Sequence, residues 1–87
     1  MSALPKDLLD LIETLQASLE KEWFGFVSDE INDILEQPIG PRGRLFALRD
    51  VVRKLGVATQ ILTNSTRDEI DRVEAAIETH LRTVFEA

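Results

Sequence analysis

The chain has 87 residues, of which 44% are hydrophobic and 30% charged, with no Cys, one His, one Trp and no Tyr. That composition belongs to one small globular domain, residues 1–87, and excludes a disulfide scaffold, a Cys-ligated zinc site and a thiol nucleophile. A net charge of −6 argues against a general nucleic-acid binder, because phosphate affinity comes largely from Lys and Arg.

The charge is segregated along the chain. Residues 1–41 carry −7, residues 42–54 carry +4 through Arg42, Arg44, Arg49, Arg53 and Lys54 against Asp50, and residues 55–87 carry −3. Such an acid, base, acid order invites pairing between segments or between copies. No apolar run reaches the ~18 residues of a membrane span. The opening Met1-Ser2-Ala3-Leu4-Pro5-Lys6 lacks the features of a signal peptide, so a soluble cytoplasmic protein is the expectation.

In chain order, the first predicted helix covers 4–23. Pro5 suits a first turn and Asp7 suits the positive end of the helix dipole. Leu8, Ile12, Leu15, Leu19 and Trp23 recur at three-four spacing and define one apolar face. Gly25 interrupts the aromatic cluster Trp23, Phe24 and Phe26, and Ser28 reads as the N-cap of a short helix over 29–37 with Ile31, Ile34 and Leu35 inward. The run Gln37-Pro38-Ile39-Gly40-Pro41-Arg42-Gly43 is the one strong breaker, a loop at 37–43. Leu45, Leu48, Val52, Leu55, Thr59 and Leu62 then recur as heptad a and d positions of a coiled-coil-like helix over 44–63. Thr66 with Glu69 fits a capping box for a last helix over 66–86, whose seam is Ile70, Val73, Ile77, His80 and Val84. The fold class is therefore all-α, a bundle of three to four helices. Its wide apolar faces predict completion by homodimerisation along that last seam.

Chemistry-bearing residues are few. His80 sits on an apolar seam, where it reads as a packed or rim residue. Asp71, Glu74 and Glu78 read as a solvated acidic face, because Glu78 and His80 are two apart and diverge on a helix. No nucleophile–base pair is present, and the sequence gives no catalytic residue, no cofactor-binding residue and no metal ligand. Arg42 and Arg44 open a helix, and Arg49 and Arg53 lie one turn apart. Their guanidinium forks suit an anionic ligand or partner, with pairing to Asp29, Glu30, Asp33 and Glu36 as the stronger expectation. Around Gly25, Trp23, Phe24 and Phe26 cannot all face one core, so at least one is expected at an interface.

Leu55-Gly56-Val57 followed by Ser65-Thr66-Arg67-Asp68-Glu69-Ile70-Asp71-Arg72-Val73 resembles the C-terminal element of phasin-type granule proteins, in which a capped run leads into a short coiled coil. The resemblance covers about a fifth of the chain and implies self-association through the last helix and a polyester or lipid surface. From the residues themselves the leading expectation is a non-enzymatic, homodimeric protein–protein interaction module of the adaptor, small acidic chaperone or inhibitor kind. It would bind an unknown protein through the aromatic patch and the Arg-rich turn. The alternatives are a nucleic-acid-associated regulator using residues 42–54 and a phasin-like surface coat.

Overall fold

The computed structural model describes residues 4–57 and 61–86, with the side chains of 84–86 outside the described set. Thr59 of the third predicted stripe and the Val84 side chain of the last seam therefore lie outside the described residues. Four helices follow one another: α1 Lys6–Lys21, α2 Gly25–Glu36, α3 Pro41–Val57 and α4 Asn64–Glu86. Each packs on its neighbours in the chain, and α4 returns against α1, which closes a four-membered ring. Cross-links from Gln16 to Ser28, from Arg53 to Glu74 and from Asp7 to His80 make neighbouring helices antiparallel. The bundle measures 38 × 22 × 20 Å.

The apolar spacing of α1 places Leu8, Ile12, Leu15 and Leu19 in the core, with Leu8, Leu15 and Leu19 wholly inaccessible. The helix then stops two residues short of Trp23. The Phe24 N–H donates to the Leu19 carbonyl at 2.8 Å and the Trp23 N–H to the Glu20 carbonyl at 3.3 Å. These are the two bonds of a Schellman closure, which needs a left-handed residue between them. Trp23 is that residue, at φ 70°.

The second helix begins at Gly25 and not after Ser28. Ser28 is buried inside it, and its carbonyl accepts a hydrogen bond from Gln16 Nε2 at 3.0 Å. At the other end Gln37 is extended, as a residue before proline must be, and Pro38 stops the helix. The loop is shorter than predicted because Pro41 opens α3: its fixed φ and absent N–H match a first helical position, so Arg42 and Gly43 are already helical.

Leu45, Leu48, Val51, Val52 and Leu55 are the buried face of α3. The predicted continuation to 63 fails at its far end, where Thr63 caps the next helix. Its carbonyl accepts from the Arg67 N–H at 3.0 Å and its Oγ1 from the Thr66 N–H at 3.4 Å. The capping residue is thus Thr63, and α4 starts two residues earlier than the Thr66–Glu69 box implied.

Eighteen hydrophobic side chains form a single buried cluster, so the core closes within one chain among the described residues. Ile70, Val73 and Ile77 of the predicted seam are at most 2% exposed within the single chain, where α4 packs on α1 and α3. His80 lies at the rim, with Nε2 3.6 Å from Asp7 Oδ2 on the first turn of α1. Among the described residues no helix is long and apolar enough to cross a membrane.

Candidate interaction surface

The alternating directions of the helices gather the α1–α2 turn, the C-terminus of α3 and the N-terminus of α4 at one end of the bundle. All four exposed large hydrophobic residues of the described chain belong to that end: Trp23 at 91% exposure, Val57 at 87%, Ile61 at 70% and Phe26 at 68%. Isolated exposed apolar residues are ordinary in a soluble protein, but four gathered at one end make that end the candidate contact surface.

Trp23 is the most unusual of them. The left-handed region costs a non-glycine residue about 1–2 kcal/mol, and glycine is the common choice at this point of a Schellman closure. The chain holds its only Trp there, turned into water. A strained residue that contributes almost nothing to its own core is a functional signal.

Beside it Phe24 folds back against the core and Phe26 stays outside, with ring centroids 5.7 Å apart. The two rings open an apolar cleft of about 190 Å³ between α2 and α3. Phe24, Phe26 and Val27 form one wall, Val51 and Leu55 the other. Two charged side chains also line it, Glu30 on the α2 side and Lys54 on the α3 side.

The same end is fastened by Glu22, the residue that caps α1. Its carboxylate accepts the Thr63 N–H at 2.8 Å through Oε1, and through Oε2 the Thr63 hydroxyl at 3.1 Å and the Thr66 hydroxyl. In a capping box the third helical residue satisfies the cap N–H. Here the carboxylate comes from another helix. The hydrogen bond from the Thr66 hydroxyl, then that from the Thr63 N–H, hold the Glu22 carboxyl below its ordinary pKa against a smaller upward push from desolvation.

The Arg residues go elsewhere. Arg42 and Arg44 stand in the first turn of α3, at the opposite end from Val57, and Arg44 Nη2 donates to the Gln37 carbonyl at 2.7 Å. Arg49 lies 4.8 Å over the Phe46 ring and 3.4 Å from Glu78, whereas Arg53 meets Glu74 at 3.5 Å and Glu78 at 3.4 Å. The predicted partners on α2, Asp29, Glu30, Asp33 and Glu36, are not the ones used by Arg49 and Arg53. The face of α3 that carries these two Arg residues looks toward α4, so its acidic stripe is partly paired and not simply solvated. The aromatic patch and the Arg-rich turn therefore do not share one surface. With 1.5 Å of rise per residue, Arg42 and Val57 are roughly 22 Å apart along α3.

Trp23, Phe24 and Phe26 were legible as interface candidates from their crowding around Gly25. Val57, Ile61, Glu30 and Lys54 were not, although Val57 falls outside the heptad positions that bury Leu55. The phasin-like elements fall at the end of α3 and the start of α4. Among the described residues no three His, Asp or Glu side chains are placed to hold a metal ion. Comparisons with protein-family models, with curated proteins and with solved structures give no match.

Proposed function

We propose that this chain is a non-enzymatic helical interaction module that docks another protein surface on the apolar end formed by Trp23, Phe24, Phe26, Val57 and Ile61. The observation that carries the reading is Trp23, held in a left-handed conformation at 91% exposure next to an apolar cleft. Trp and other aromatic anchors dominate binding hot spots, and an anchor beside a pocket is the arrangement such hot spots adopt. The closed core supports it as well, since Trp23, Phe26, Val57 and Ile61 are not needed to complete it. A role in nucleic-acid binding gains less support, because Arg49 and Arg53 already face carboxylates of α4.

The test is a photo-cross-linking amino acid at position 26, irradiated in cells that express the chain. Discrete cross-linked protein, to another chain or to a second copy, is expected, and Trp23→Ser abolishes it while Arg42→Ala with Arg44→Ala leaves it intact. Cross-links that survive Trp23→Ser, or none at all, refute the reading.

A further inference from the structure

We infer that the apolar end is self-complementary and that its occupant is a second copy of this chain, joined by a two-fold axis; the inference rests on the interaction surface proposed above. Three features point to it. The surface carries both halves of a contact, a projecting indole at Trp23 and, beside it, an apolar cleft walled by Phe24, Phe26, Val27, Val51 and Leu55. A two-fold axis brings each knob to the other copy's hole, as the isologous interface of a symmetric dimer requires.

Charge gives the second argument. Glu30 and Lys54 line the same cleft from different helices, and among the described residues neither has an ion-pair partner within its own chain. A uniformly acidic rim would favour a basic partner. One acid and one base favour a surface that carries the same two groups in reverse order. The two-fold copy supplies that surface: Glu30 of each chain meets Lys54 of the other. Complementary rim charges of this kind fix register and orientation more than affinity.

Area is the third. Trp23, Phe26, Val57 and Ile61 together offer roughly 600 Å² of apolar surface per copy, most of the about 800 Å² that each partner contributes to a stable interface. This dimer differs from one built along α4. It leaves the core of each protomer closed and uses the exposed side chains of Trp23, Phe26, Val57 and Ile61, which the core does not need.

The experiment is sedimentation velocity over a concentration series from about 1 µM to about 1 mM, with the emission of the single Trp recorded on the same samples. A monomer–dimer equilibrium is expected, with a blue shift of Trp23 emission that tracks the dimer fraction. Trp23→Ser, whose folding is checked by circular dichroism, abolishes the association; the variant lacks the chain's only Trp and is followed by sedimentation alone. Glu30→Lys and Lys54→Glu each weaken self-association by about tenfold or more, because each places like charges together at two symmetric points. An equimolar mixture of the two single variants restores it, since both pairs across that heterodimer are opposite in sign. A loss of stability cannot mimic that rescue. A chain that stays monomeric to about 1 mM, or a dimer indifferent to these substitutions, overturns the inference. If position 26 still cross-links to a different protein in a Trp23-dependent way, the interaction surface stands and only its occupant is wrong.

Discussion

Replacing Trp23 with Gly and with Ala separates what the indole does for the fold from what its backbone costs. Trp23 is 91% exposed, so less than a tenth of its surface is covered. At about 25 cal/mol per Å² on a side chain of about 250 Å², that contact stabilises the fold by roughly 0.5 kcal/mol. Both variants lose it. Ala keeps the Cβ and therefore the left-handed strain of about 1–2 kcal/mol, whereas Gly removes the strain at a cost of about 0.5–1 kcal/mol in unfolded-state freedom. Trp23→Gly should therefore be more stable than Trp23→Ala by about 0.5–1 kcal/mol. For a domain of this size the gap is roughly 2–8 °C in Tm. The wild type should fall between the two or level with Gly, which means that deleting the chain's only Trp leaves the fold about as stable as before. The assay is thermal and urea denaturation at low micromolar concentration, where association cannot add stability by mass action. If Ala equals or exceeds Gly, residue 23 is not held left-handed in solution, and the argument from strain to function collapses.

Two further perturbations test the packing at other points. In the folded chain the Glu22 carboxyl is held below its ordinary range, so its contribution is full above the unfolded value of about 4.3 and is lost as the pH falls through the depressed value. The urea midpoint of the wild type should exceed that of Glu22→Gln at neutral pH, and the difference should shrink on acidification; a gap that widens toward pH 3 contradicts the bonding to Thr63 and Thr66. Glu78→Ala removes both Arg49 and Arg53 contacts, which are partly solvated, so a loss of about 0.5–1 kcal/mol at low salt, reduced by more than half at about 0.5 M, is expected from denaturation curves at the two ionic strengths. A salt-independent loss above about 2 kcal/mol would mean a water-excluded network instead.

The all-α class and the inward faces were legible because burial follows helical period directly. Leu8, Ile12, Leu15 and Leu19 are spaced for one face and occupy it. Trp23 has the same spacing from Leu19 and lies outside. Spacing predicts direction only while the backbone remains helical, and a single left-handed residue redirects the side chain. The start of α3 was misplaced for a related reason: Pro41 reads as a breaker and also as a first helical residue, and the choice depends on where α2 has already stopped. The partners of Arg49 and Arg53 were undetermined because acids occur on both neighbouring helices. Only the rotation of α3 within the ring selects α4. Homodimerisation along the last seam was inferred from apolar width, but a closed ring of four helices has uses for wide faces that an open pair does not. The role of Glu22 left no local trace, since its donors lie 41 residues or more further along the chain.

That carboxylate makes one amide proton a gauge of the tie between α1 and α4. The N–H of a helix-capping residue ordinarily faces water and exchanges with solvent almost freely. The Thr63 N–H instead donates to Glu22, so its exchange requires that hydrogen bond between the end of α1 and the start of α4 to open. Hydrogen–deuterium exchange at this single position therefore measures how often that hydrogen bond opens, and a partner seated on Trp23 that restrains Glu22 should slow it without any contact to Thr63 itself.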